Sequence, residues 1–528
     1  MSLQDHQPPG HSHSNTPNPA RPKPSAALRA KVFTRGDRNP AIIDPQPAGG
    51  DTDPHLDGAK EKELPRYNTA GQQVNHAGYP ITRFVQPDGE SGRHGLHPWH
   101  FLRICFRSTS TASKYTNLLW PFTIAAMIMH FAFPHHQLWV FITCYIGMVP
   151  AANLVGFAGQ ELARKIPKVA GVILETTFGS IVEIILFMVL IAGGNKNVAV
   201  IRAAILGSIL ANLLFCLGTC FFVGGIFHPQ QTFHEAISEV GSNLMLVAAV
   251  GLVIPTIFYN SLTGRLSPSS LETEALRISR AAAIILLVAF CVYLWFQVRS
   301  HHGLYEDILE ADEERDHDRH KDLAKDKLTF TESCVAVLIA LIFVSFMAVF
   351  LVQQIEFMVH ERHISDAFIG LILVPIVEKA SEHLTAVDEA YDNQMNFALS
   401  HVLGASIQTA LLNTPLVVIV GWGLGIDMSL NFELFDAVVL ILAIIVVGNF
   451  LRDEKSDYLE GALCVMVYVL VAVTAWYYPN PVTVSGTASA ENGVNGTAAQ
   501  AGGQGNVTAV HDVVERLVRR AMEEMGGL

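Results

Sequence analysis

The chain has 528 residues, 50% of them hydrophobic and only 16% charged, and a mean hydropathy of +0.33 although its N-terminal part is plainly hydrophilic. The rest must be very apolar, which excludes an ordinary soluble globule and indicates a polytopic membrane protein. A net charge of −13 and the lack of a basic motif argue against a nucleic-acid partner. Seven cysteines, mostly inside apolar segments, do not form a secreted disulfide framework.

Residues 1–115 are rich in Pro, Gly, His, Asn and Asp and read as a disordered cytosolic tail. His6, His11 and His13 within it are low-complexity sequence rather than a metal site. No short, cleavable signal peptide is read ahead of the apolar runs. Eleven transmembrane helices are predicted, at 116–134, 137–158, 168–192, 200–226, 241–262, 281–299, 328–352, 365–388, 396–421, 432–451 and 459–478. Cys216 and Cys220, at helical i, i+4 spacing, are read as packing residues.

Arg103, Arg107 and Lys114 before the first span, and Arg164, Lys165 and Lys168 after the second, place those segments in the cytosol. An odd span count then makes the low-complexity tail at 479–528 lumenal, in agreement with sequons at Asn495 and Asn506. A short amphipathic helix is expected at 510–525. The segment 300–327 is an acidic cytosolic loop, read either as a collector of cations or as a solvated linker between two halves.

Glu378, Lys379, Glu382 and His383 follow an apolar run in the eighth span. Each charge at bilayer depth costs roughly 2.5–3.5 kcal/mol, so these groups must face protein or water. On one helix Glu378, Glu382, Thr385 and Glu389 would share a face. The third span carries Glu175-Thr-Thr-Phe-Gly179-Ser180-Ile-Val-Glu183, and the span after it Gly207-Ser208 and Asn212. The eighth span is likewise followed by Gly404-Ala-Ser406-Ile-Gln408. Each half thus pairs an acidic helix with one bearing Gly, Ser and a carboxamide.

With the spans counted as above, the two acidic helices run in opposite directions. That is the inverted repeat of secondary transporters, which bind substrate at the repeat interface. The expected fold is therefore all-α: a leading helix, 116–134, then exchanger repeats at 135–299 and 328–478. Carboxylates, backbone carbonyls and Ser, Asn and Gln oxygens are hard ligands suited to calcium or alkali cations. Protons compete for the same carboxylate oxygens, and mutually exclusive occupancy is antiport.

The stretches TFGSIVE, GSILANLL, SEHLTAV, GASIQ and PLVVIVGW resemble the cation/proton exchanger branch of the calcium/cation antiporter superfamily, over residues 116–478. The family's signatures read approximately G-N-A-x-E and G-N-A-x-E-H. The resemblance implies that Glu183 and Glu382 carry cation and proton in turn, with Ser208, Asn212, Ser406 and Gln408 as auxiliary ligands. It implies modulating places for His383 and for Glu161, nearer the cytosolic mouth. It also implies a vacuolar or related endomembrane, no cofactor, and no enzymatic activity.

Two departures bear on the exchanged ion. Ser180 stands for the first signature asparagine, and Glu378-Lys379 for the second Gly-Asn. An ammonium cannot coordinate a cation, and Glu378 is the expected partner that neutralises it. Calcium is the family default; sodium or potassium is the alternative, with low affinity expected for either. A passive cation channel and an intramembrane aspartyl protease built on Asp392 and Asp427 are the more distant readings.

Overall fold

The computed structural model describes residues 89–108, 110–316 and 325–479, with short pieces at 73–74, 80–81 and 85–86. The histidine cluster, the sequons and the expected helix at 510–525 lie outside the described residues. The chain divides after Tyr477, and of the second unit, Tyr478–Leu528, only Tyr478 and Pro479 are described.

The first unit is almost entirely helical. In chain order its helices are α1 (Pro98–Arg107), α2 (Thr111–Thr116), α3 (Trp120–Ala132), α4 (Gln137–Ala163), α5 (Lys168–Ala192) and α6 (Val198–Leu210). Then follow α7 (Leu217–Phe227), α8 (Glu235–Leu262), α9 (Pro268–Trp295), α10 (His302–Glu313) and α11 (Phe330–His360). The last are α12 (Val374–Glu378), α13 (Ala380–Tyr391), α14 (Met395–Gln408), α15 (Thr414–Leu424), α16 (Leu434–Phe450) and α17 (Tyr458–Tyr477). A two-stranded antiparallel pair, β1 (Gln231–Thr232) and β2 (Lys455–Ser456), joins the loops after α7 and before α17.

Among the described residues, nine helical segments are long and apolar enough to cross a membrane. Two of the eleven expected spans fall short of that description. The first is not one α-helix: Thr116 ends α2, Asn117–Leu119 form a 3-10 turn, and the 13 residues of α3 follow to Ala132. The eighth is interrupted at Lys379, whose φ of −93° and ψ of 0° end α12 and begin α13. This break also corrects the expected common face of Glu378 and Glu382, because the two no longer share a continuous helix.

The structure also differs from the expected tail. Residues 98–107 form a helix begun by Pro98 and buried through Ile104, with Trp99, Leu102 and Phe106 exposed. Its apolar residues are too few to stand out against a polar flank. In the acidic loop, His302–Glu313 is helical and buries Tyr305, Ile308, Leu309 and Asp312. That loop is not a bare solvated linker.

The interior is built around two segments, Asn195–Phe227 and Met395–Leu424, whose apolar windows are 89% and 78% buried. Both widen into a π turn at their middle, at Ala211–Cys216 and Thr409–Asn413. π turns arise where one extra residue is accommodated in a helix, and they occur often at functional sites. Here they carry Asn212 and Asn413.

Candidate functional site: a buried carboxylate–lysine cluster

The polar cluster forms where α5, α6, α13 and α14 meet. Gly179 of α5 lies against the Glu382 side chain, so that a Cβ at this position would collide with the carboxylate. Four residues on, Glu183 meets Lys379. These contacts make α5 and α13 antiparallel. The contacts of α14 with α5 advance together, Gly404 on Thr176, Gln408 on Ser180 and Thr409 on Glu183, so those two helices are parallel. On the other side Gly207 packs on the backbone of Gly370 and Leu371, Ser208 reaches Glu378 and Asn212 reaches His383.

Glu183 is fully buried, and its Oε2 takes three partners: Lys379 Nζ at 2.8 Å, Thr409 Oγ1 at 2.8 Å and Asn413 Nδ2 at 2.9 Å. Its Oε1 has no hydrogen-bond partner among the described residues. Lys379, equally buried, also lies 3.2 Å from Glu382 Oε2. The ammonium therefore bridges the two glutamates expected to carry cation and proton. Among the described residues no group of three or more His, Cys, Asp or Glu is arranged to hold a metal ion. Between Glu183 and Glu382 that place is taken by Lys379.

The expected pairing of Lys379 with Glu378 is corrected. Glu378 Oε1 instead accepts a hydrogen bond from Ser208 Oγ on α6, and its Oε2 is unpartnered among the described residues. Adjacent residues at a helix break project to different neighbours. Ser180 Oγ donates to Gln408 Oε1 at 2.9 Å, and His383 Nε2 lies 3.1 Å from Asn212 Oδ1.

Two expected residues stand apart. Ser406 Oγ donates to Val402 O one turn back in its own helix. Glu161, 1% exposed, takes Leu328 N at 2.9 Å and Arg164 Nη1 at 3.1 Å, holding the end of α4 to the segment before α11. Asp392 and Asp427, proposed for proteolysis, sit near opposite ends of α5. Asp392 follows the α13 end near Glu389, which shares a histidine with Glu175, whereas Asp427 N reaches Asn195 Oδ1. Twenty residues of helix separate those ends by about 30 Å, too far for one catalytic pair.

The structure adds Thr409 and Asn413, which were not singled out in the sequence although they continue the polar pattern of GASIQ at i, i+4 spacing. It also groups Glu175, Glu389 and His401: His401 Nδ1 lies 2.7 Å from Glu389 Oε2, and its Nε2 3.6 Å from Glu175 Oε2. A histidine inside a membrane span is rare and marks a functional position by default, and that signal was available at His401.

Residues 136–299 and 332–477 match the family described as sodium/calcium exchanger protein. The vacuolar cation/proton exchanger 2 of Oryza sativa subsp. japonica is 33% identical over 367 residues, covering 69% of this chain and 82% of that protein. The vacuolar calcium ion transporter of Schizosaccharomyces pombe is 31% identical over 368 residues, covering 70% of this chain and 86% of its own. The solved structure of native YfkE superposes with a TM-score of 0.55 at 25% identity, covering 67% of this chain and 96% of that one.

Proposed function

Because the chain belongs to the sodium/calcium exchanger protein family, and within it resembles the cation/proton exchangers, we propose that it exchanges a metal cation for protons across a vacuolar or related membrane. Calcium is the first candidate cation. The observation that carries this reading is the meeting of Glu183 and Glu382, from antiparallel helices in the two halves of the chain, at one buried site. The matched π turns beside Asn212 and Asn413 support an inverted pair of repeats, of which the nine long segments are the larger part.

The coupling follows from site chemistry. A carboxylate that gives up its proton becomes a cation ligand, and one that loses the cation accepts a proton. Glu183 and Glu382 supply the exchanging oxygens, and Glu378 with Ser208 supplies a third carboxylate beside them. Thr409 and Asn413 hold Glu183 in place by donating to Oε2, leaving Oε1 without a hydrogen-bond partner among the described residues. The bilayer is the partner this reading requires, and the chemistry needs no cofactor.

A second reading, sodium or potassium exchange, is favoured by Lys379. With its ammonium between them, Glu183 and Glu382 present one net negative charge rather than two, which suits a monovalent ion better than calcium. Competition among calcium, sodium and potassium for proton efflux from proteoliposomes separates the two. Efflux driven by calcium in excess of either alkali ion supports the first reading, and the reverse order supports the second.

A further inference from the structure

We propose that Glu175, His401 and Glu389 form a second proton-binding station, through which protons pass between Glu382 and the face of the protein covered by α10. The proposal rests on the exchange reading for its direction of use, and on geometry for its existence. His401 is 7% exposed and lies between two carboxylates from different helices, Glu389 at the end of α13 and Glu175 in α5. Its Nε2 is buried and has no hydrogen-bond partner among the described residues.

Two voids meet at these side chains. The outer, of about 270 Å³, is lined by Glu175, Glu389 and His401 together with Gln160, Gln394 and Phe397. The inner, of about 20 Å³, is lined by Glu175 and His401 again, and by Gly179, Ser381, Glu382 and Thr385. Glu175 and His401 are thus the common wall of both. A void of this inner size holds about one water, because a single water needs roughly 10–15 Å³. A neck one water wide relays a proton but does not admit a hydrated metal cation. In this conformation, the inner void beside Glu382 has room for a water and none for a hydrated metal cation.

We take Nδ1 to carry the proton in the 2.7 Å contact with Glu389, which leaves Nε2, 3.6 Å from Glu175 Oε2, as the acceptor facing the neck. Glu382 gives its proton through one water to Nε2; Nε2 passes it to Glu175 Oε2, 3.6 Å away; Glu175, which lines both voids, releases it into the outer one, while Nδ1–H stays on Glu389. One proton is carried, only O–H and N–H bonds are exchanged, and His401 ends in the tautomer in which it began. The charged groups facing His401 are Glu175 from α5, Glu389 and Glu382 from α13, and Arg164 at the end of α4. Glu306 and Glu313 from α10, Asp316 after it, and Lys327 before α11 complete the outer wall.

The test uses the full chain, wild type and the variants His401→Gln and Glu389→Gln, in proteoliposomes and in ¹⁵N-histidine solid-state NMR. Cation-driven proton flux in His401→Gln is expected to fall roughly 100-fold where proton transfer limits exchange, and its pH profile to lose one ionisation. The resonance absent from His401→Gln is expected to change protonation across pH 5–9 in the wild type, and to move in Glu389→Gln. A variant flux and pH profile matching wild type would overturn the station, as would a His401 resonance indifferent both to pH and to Glu389→Gln. If the wild type itself shows no cation-driven proton flux, the exchange reading fails, and the resonance still decides whether the station exists. The NMR arm on Glu389→Gln also decides the case if His401→Gln does not fold.

Discussion

The ammonium of Lys379 lies 2.8 Å from Glu183 Oε2, with both side chains fully buried and drawn from opposite halves of the chain. A pair of this kind is costly to break: removing one partner of a buried ion pair typically costs about 3–5 kcal/mol, because the other charge is left uncompensated. Any metal cation that reaches both Glu183 and Glu382 must displace this ammonium, so Lys379 acts as a tethered competitor for the substrate.

Lys379→Asn removes the competitor and restores an oxygen ligand. The variant is expected to favour divalent over monovalent ions relative to wild type, read as the ratio of calcium-driven to sodium-driven proton flux in the same vesicles. An unchanged ratio would deny the lysine any part in ion choice.

Thr409 and Asn413 both donate to Glu183 Oε2, at 2.8 and 2.9 Å. Hydrogen bonds to a charged group contribute about 1.5–3 kcal/mol each. If they hold Glu183 oriented for the cation, Asn413→Leu should weaken the apparent affinity for the driving cation by roughly tenfold or more, while the protein remains folded in the membrane. Titrating the cation against initial flux tests this, and a wild-type midpoint would show that Glu183 is positioned by other contacts.

Asp312 of the loop helix α10 caps the start of α14, accepting Asn396 N at 2.9 Å, Phe397 N at 3.1 Å and Asn396 Nδ2 at 3.0 Å. Burial pushes its carboxyl up from 3.8 to about 6 against the opposing pull of these donors and of Arg315. A carboxyl raised on docking binds protons more tightly when docked, so docking is favoured at low pH and weakens as pH rises through about 6. Hydrogen exchange at Asn396 and Phe397, corrected for its intrinsic pH dependence, should show more protection at pH 5 than at pH 7. Asp312→Asn should flatten that difference. Greater protection at pH 7 in wild type would reverse the sign and remove the account of this contact.

The membrane character and most of the span positions were legible because long apolar runs need no tertiary information to be recognised. The pairing of Gly179 with Glu382 was implicit in the repeated acidic motifs, since a glycine one turn from a buried carboxylate marks a close approach. The break at Lys379 was not legible: a lysine after Glu378 reads as an i, i+1 ion pair, and only the packed helices show that the two side chains turn to α5 and α6 separately. His401 was passed over for a related reason. Its meaning depends on Glu175 and Glu389, which stand far from it in sequence or on another helix. The helix α10 was hidden in a run of charges whose few apolar residues, Tyr305, Ile308 and Leu309, acquire a face only when packed.

The central claim is that Glu183 and Glu382 together carry cations and protons in turn. It is tested most directly by cation uptake into sealed proteoliposomes under an imposed pH gradient with no membrane potential, comparing wild type with Glu183→Gln and Glu382→Gln. The account predicts uptake by the wild type and none by either variant, with all three folded in the membrane. Wild-type uptake by either variant would contradict it.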